Sequence, residues 1–278
     1  MTLDLGLLKI TIGVDNKEAN NAFNETGDHV SKFADGAKKV LGGMAKATTT
    51  ALAAATTGVI ALTKKSLESY AEYEQLVGGV DTLFKNSSII VQKYADNAYK
   101  TAGLSANEYM ETVTGFSASL LQSLKGNTVK ASIYADMAIT DMSDNANKMG
   151  SSMSSIQNAY QGFAKQNYTM LDNLKLGYGG TKEEMQRLLA DAEKLTGKKF
   201  DLSSYADIVE AIHAIQTEMD ITGTTAKEAS TTIQGSINST KAAWQNLLVG
   251  IADDNANIDK LIDNLVNSIE TAATNIIP

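Results

Sequence analysis

The sequence predicts an all-α protein with a long N-terminal coiled-coil-like helix followed by a multi-helix core domain. A short extended or β segment is expected at the N-terminus. Three observations predict this class. The single proline is the last residue, Pro278, so no internal proline interrupts a helix. A heptad pattern runs near the N-terminus. Along the remainder, Ser or Thr is repeatedly followed three residues later by an acidic residue, which is typical of helix starts.

The first segment, LGLLKITIGVD, alternates imperfectly, which predicts a short strand or extended arm ending near Asp15. From Ala19 to Ala61, apolar or small residues follow at alternating spacings of four and three. This heptad seam predicts burial against a partner helix in a homo-oligomer, with a trimer or hexamer expected. Packing of the stripe on the rest of the chain is the alternative. The predicted oligomer seam comprises Ala19, Phe23, Val30, Phe33, Ala37, Val40, Met44, Ala47 and Ala51.

The segment Met44 to Lys65 is apolar or small on all faces and approaches the length of about 20 residues that crosses a bilayer. Lys46 interrupts it, and its threonines and alanines make insertion only marginally favourable. The sequence therefore predicts a buried bundle helix. The alternative is a segment that inserts conditionally into a host membrane and forms part of a channel there.

The glycine pair Gly78–Gly79 is predicted to close the first region, 1–79. A helical core region is expected over 80–250, and a further, truncated helix over 251–278. No cap follows this last helix, which predicts that the chain is a fragment, a truncated gene product or a designed piece of a longer protein. After the first region, the predicted helices are 88–102, 106–124, 128–148, 152–166, 182–196, 204–222, 226–249 and 255–277.

Helix ends are marked by two kinds of residue. A side-chain oxygen at the N-cap accepts from a free backbone N–H, and a glycine past the C-terminus adopts left-handed backbone at low cost. The predicted caps are Ser105, Thr181, Ser204 and Thr225. The predicted terminal glycines are Gly103, Gly150, Gly197 and Gly223.

Three glycines in four positions precede the cap Thr181, in the stretch LDNLKLGYGGTKEE. A phosphate-binding loop requires the order Gly-Lys-Ser/Thr, which is absent here. The stretch therefore predicts a hinge or tight corner, with Gly177, Gly179 and Gly180 bending the chain and Thr181 capping the next helix. Nearby aromatic residues are expected to pack around the corner: Tyr160, Phe163, Tyr168 and Tyr178.

Few residues could carry chemistry, so we expect no enzyme, cofactor or bound metal. His29 and His213 are expected at a helix flank and a core edge. Glu210 and His213 share a helix face, but a di-metal bundle needs this motif twice. The stretch DDNANIDKLID lacks the glycine and glutamate of a calcium loop, since Ile258 and Asn264 occupy those positions. A peptidoglycan hydrolase is disfavoured because no acidic pair or zinc spacing is visible.

The formal net charge of −8 and the pI near 4.9 argue against a specific nucleic-acid binder, since phosphates are held by clustered Lys and Arg. The chain has no cysteine, so redox chemistry gives no information on its compartment. The start, MTLDLGLLKI, is not expected to act as a secretory signal, because an acid precedes any lysine.

The stretches GLSANEYMETVTGFSASLLQSL and DMAITDMSDNANKMGSSMSSIQNAYQGFAKQNYTMLDNLKLGYGGTKEEMQRLLADAEKL resemble the core region of phage tail tape measure proteins. The resemblance covers roughly Tyr70 to Trp244 and is most specific from Asp136 to Leu195. The extended start, the coiled coil and the Ala/Thr segment resemble the N-terminal part of the same family. The chain is shorter than the family's members generally are.

The resemblance implies a structural protein that templates tail tube assembly, sets tail length and leaves the tube during genome ejection. It implies several copies in the virion tail lumen, and in the bacterial host cytoplasm during assembly. The implied partners are the tail tube protein, tail assembly chaperones and baseplate or distal tail proteins. Phage, prophage and bacteriocin-like particles all remain open as the source.

Overall fold

The computed structural model describes residues 3–4, 9–10 and 55–276, with side chains from residue 65 onward. Two short strands, β1 (Leu3–Asp4) and β2 (Lys9–Ile10), pair antiparallel; β2 lies in the segment expected to be extended, and β1 comes directly before that segment. The other regular elements of the described chain are helical, which confirms the all-α class. The nine predicted seam residues lie outside the described residues.

Five helix starts or ends coincide with the expected residue: the starts at 88, 106, 128 and 182 and the end at 196. The largest differences are the breaks described below. The α-helices are α1 (Ala55–Phe84), α2 (Ser88–Thr101), α3 (Ala106–Thr114), α4 (Ser117–Ser123), α5 (Thr128–Met149), α6 (Met153–Phe163), α7 (Lys182–Thr196), α8 (Tyr205–Glu218), α9 (Thr224–Thr231), α10 (Ile233–Ile251) and α11 (Ile258–Ile276). Short 3-10 helices occupy Lys85–Ser87 and Leu171–Leu174.

The glycine pair Gly78–Gly79 does not end a helix, contrary to the expectation that it closes the first region. Helix α1 passes through it and ends at Phe84. A Cβ on Gly79 would lie 3.5 Å from the Thr114 methyl carbon, so this glycine lies against α3. Val80 and Phe84 follow it and are completely buried. Core packing on both sides of the pair stabilises a helix that glycine alone disfavours.

The helix expected over 106–124 is divided into α3 and α4. The break at Phe116 turns its ring into the core, where it packs edge-on against Tyr205 with the ring centroids 6.0 Å apart. The helix expected over 226–249 is likewise divided into α9 and α10. Thr232 is extended there, and its hydroxyl oxygen accepts from the Gly235 N–H at 3.1 Å to cap α10. Both breaks satisfy tertiary or capping contacts that the helical periodicity does not reveal.

Two apolar clusters hold the described helices together. The larger one gathers buried side chains from α1 to α8. The smaller one joins Tyr99 of α2 to buried residues of α10 and α11. Helix α10 continues to Ile251 and packs against α11, so the expected boundary at 250/251 falls at the end of a helix within this cluster.

Candidate functional site

A buried polar junction lies where α5, α8 and α9 meet. We define it as Asp141, Asp144 and His213. The two aspartates are one turn apart on α5, and their side chains are 1% and 0% exposed. The Nδ1 atom of His213 on α8 lies 2.9 and 3.0 Å from the two carboxylate oxygens of Asp141. A hydrogen-bonded contact therefore joins the middle of α5 to α8, and it is an ion pair when His213 is protonated.

Asp144 binds the start of α9. Its two carboxylate oxygens accept from the backbone N–H groups of Gly223 at 2.6 Å and of Thr225 at 2.7 Å. Thr225 was predicted to be the N-cap of this helix, but the N-cap is Gly223, in left-handed backbone with φ of 81°. The prediction is wrong because a carboxylate distant in sequence, rather than a local hydroxyl, satisfies the free N–H groups.

The electrostatics of the junction follow from burial. Loss of water raises the pKa of Asp141 to about 6, although the hydrogen bond from His213 opposes the rise. The hydrogen bond to Asp141 raises the pKa of His213 above its ordinary value. Burial also raises the pKa of Asp144, and the two backbone N–H groups counteract this. The junction therefore couples protonation to the packing of three helices.

An Asp–His pair also occurs in hydrolase triads, where the second ring nitrogen activates a nucleophilic hydroxyl. His213 presents Nδ1 to Asp141 in the same way, and here this contact connects two helices. His213 was expected at a core edge, and its side chain is 36% exposed. A helix-joining ion pair accounts for its geometry.

The glycine corner comprises Gly177, Gly179, Gly180 and Thr181, and the structure brings these residues together in one turn, as predicted. Gly177 adopts φ of 84°, in the left-handed region that favours glycine. A Cβ on Gly180 would lie 2.3 Å from the backbone oxygen of Thr169. Glycine is therefore required at position 180 because two backbone segments touch there.

Side chains of α7 fasten the corner. The Thr181 hydroxyl oxygen accepts from the Glu184 N–H at 3.2 Å, which confirms the predicted cap. The Glu184 carboxylate accepts from the Gly179 N–H at 3.0 Å. Arg187 donates to the Gly177 carbonyl at 2.7 Å and lies over the Tyr178 ring, 4.2 Å from its centroid. The corner is thus held by a cap, a carboxylate and a guanidinium.

The four aromatic residues expected around the corner are all buried. Tyr160, Phe163 and Tyr168 form a consecutive series, with centroid distances of 5.8 and 6.3 Å. The Tyr178 hydroxyl donates to Asp191 at 3.0 Å, and burial followed by this hydrogen bond raises its pKa to about 12. These contacts connect the corner to α6 and α7 and make it a fixed turn between them.

Among residues 65–276, no group of three or more His, Asp and Glu side chains is arranged to hold a metal ion. No helix in the described part of the chain is long and apolar enough to cross a membrane. The segment Met44 to Lys65 lies only partly in that range, so both the predicted buried bundle helix and its alternative, membrane insertion, stay predictions.

The polar junction was not predicted. Its acids lie in DMSDNANKMG, which reads as an oxygen-rich surface stretch. The usable signal is their position: Asp141 and Asp144 alternate with the buried Ala138, Ile139 and Met142 on one face of α5. A carboxylate on an apolar helical face indicates a buried partner.

Comparison of the chain with protein-family models, with curated proteins and with solved structures gives no match.

Proposed function

We propose that this chain is the N-terminal and core region of a tail tape measure protein of a phage, prophage or tail-like particle. In this role it templates tail tube assembly, sets tail length and is released during genome ejection. The observation that carries the proposal is the resemblance of Asp136 to Leu195 to the family's core region. This stretch forms α5, α6, the glycine corner and α7, the centre of the larger apolar cluster.

The geometry supports a role in assembly. The resemblance is strongest where the chain is most constrained, at a turn that requires glycine and at helices joined by buried polar contacts. Such residues preserve a shape. A protein that acts by its length and packing depends on its shape rather than on a reactive group. A glycine corner that is held rigidly between two helices fits such a role.

The charge of the chain suits a protein in a tube through which DNA later passes. It has 32 acidic and 24 basic residues. A net negative surface repels nucleic-acid phosphates and so favours release over retention. In this proposal the heptad seam from Ala19 to Ala51 is a coiled coil that joins several copies along the tube axis, and tube subunits polymerise around it with the help of chaperones.

The proposal is tested in tail-bearing particles isolated from cells that carry this gene. Purified particles are treated with protease, with and without prior opening of the tail, and peptides of this chain are quantified by mass spectrometry. A protein in the tail lumen is protected in intact particles and digested in opened ones. Digestion in both samples, or absence of the chain from the particles, would refute the proposal. A capsid surface protein serves as the control for protease activity.

A further inference from the structure

The last three described helices, α9 to α11, form a unit that we call the C-terminal arm. Its apolar cluster is separate from the larger one, and Tyr99 of α2 is its member from outside the arm. Helix α9 contributes no buried side chain. The arm therefore has its own core, and apolar burial attaches it to α2 and α5 only weakly.

Three clefts follow the boundary between the arm and the rest of the domain. A cleft of about 300 Å³ separates α2 from the α10–α11 connection, with Asp96 and Asp253 on its two sides. A second, of about 290 Å³, lies between α5 and α9 and is lined by Ser143 and Ala229. A third, of about 210 Å³, lies between α2 and the arm. Atoms lining such gaps lose the dispersion contacts of a packed core.

Polar contacts close this boundary. Asp144 holds the start of α9 through two backbone N–H groups. Asn147 donates to Glu228 of α9 at 2.8 Å. The Asn246 side-chain oxygen of α10 accepts from the Ala106 N–H at 2.7 Å. When such a contact opens, its polar groups form hydrogen bonds to water instead. Breaking a polar contact therefore costs less free energy than exposing an equal area of apolar surface.

We propose that the C-terminal arm moves away from α2 and α5 while one of its helices, α10, remains packed along α1. The contact of Asp144 with the start of α9 holds the arm in the closed position. The packing of α10 on α1 provides the fixed side of this motion. Opening separates Tyr99 from the arm and exposes the part of the arm's apolar cluster that Tyr99 covers. The inference concerns the folded chain and does not depend on the proposed function.

A disulfide tests the proposal, because the chain contains no cysteine of its own. A Cβ on Gly103, in the α2–α3 turn, would lie 3.9 Å from the Cβ of Asn238 on α10. This separation suits a disulfide. In the Gly103→Cys/Asn238→Cys variant, oxidation should slow amide hydrogen exchange in α9 about tenfold relative to the reduced protein, while α7 is unchanged. Equal exchange in α9 in the two states would overturn the proposal.

Removing the Asp144 charge tests the closing point. In Asp144→Asn, exchange in α9 should rise about tenfold while α7 again is unchanged. The exposed Asp172→Asn is the matched control and should leave both helices as in the unaltered protein. Acceleration of α7 to the same extent as α9 would indicate general unfolding and count against the proposal. If Asp144→Asn does not fold, the oxidised and reduced cysteine variant still decides the matter.

Discussion

Replacing Gly180 with alanine tests whether the corner depends on backbone contact. The added methyl carbon would lie 2.3 Å from the Thr169 carbonyl oxygen. A backbone oxygen cannot rotate away as the end of a side chain can, so the two backbone segments at Thr169 and Gly180 must move apart. Forcing extra volume into a packed site costs about 1–3 kcal/mol. We expect Gly180→Ala to lower the free energy of unfolding by that amount.

Three other glycines serve as controls of different kinds. A Cβ at position 177 would enter open space, but the backbone there has φ of 84°. Gly177→Ala should therefore lower the free energy of unfolding by about 1 kcal/mol through backbone strain alone. Gly179→Ala meets the Glu184 side chain at an ordinary 3.5 Å and should change stability by less than about 0.5 kcal/mol. Gly78→Ala lies in α1 with nothing nearby and should stabilise the protein by up to about 1 kcal/mol.

The assay is urea unfolding of each variant followed by circular dichroism at 222 nm, with an unchanged slope required for comparison of the free energies. The expected order of stability is Gly78→Ala, Gly179→Ala, Gly177→Ala and Gly180→Ala, from most to least stable. If Gly180→Ala were as stable as Gly179→Ala, the corner would tolerate a side chain and the reasoning from backbone contact would be refuted.

Three further changes have defined outcomes. Burial raises the pKa of Asp141 to about 6 from 3.8, so the folded protein binds this proton more tightly than the unfolded chain does. The raised pKa of His213 acts in the same direction, because its contribution is present at low pH and lost as pH rises through the folded pKa. Between about pH 7.5 and 4.5, the unaltered protein should therefore gain about 2 kcal/mol over Asp141→Asn in urea unfolding, since roughly 1.5 pH units of this interval lie below the Asp141 pKa; parallel pH profiles would contradict this. In sedimentation equilibrium, Phe33→Glu in the heptad seam should dissociate the proposed oligomer, while Lys32→Glu, outside the seam, should keep the mass of the unaltered protein; the same mass for both variants would contradict the proposed seam. Ser105→Ala removes a capping box and should lower the unfolding free energy by about 1 kcal/mol, and an unchanged urea midpoint would argue against the cap.

Helix ends were predictable where the signal is local. Ser105 caps α3 by a complete capping box, and Gly150 and Gly197 end α5 and α7 in left-handed backbone. These contacts span a few residues, so the sequence contains all the participants. The position of the glycine corner was predictable for the same reason.

Features that depend on distant residues were not predictable. Asp144 and Thr225 are 81 positions apart, so no local sequence pattern indicates that Asp144 binds the free N–H groups at the start of α9. The break at Phe116 likewise depends on Tyr205 across the core. The role of Gly180 depends on Thr169, which precedes the 3-10 helix. Tertiary contact overrides periodicity at each of these sites.

The most direct test of the account is tail length in particles that carry altered copies of the gene. Residues 19–46 comprise four heptads, so inserting one or two further copies of them keeps the heptad register and every residue of the seam. At about 1.5 Å per helical residue, the 28 residues correspond to about 42 Å. The account predicts tails longer by about 42 Å with one extra copy and by about 84 Å with two, as measured by electron microscopy. Tails of unaltered length in both cases would contradict the claim that this chain sets tail length.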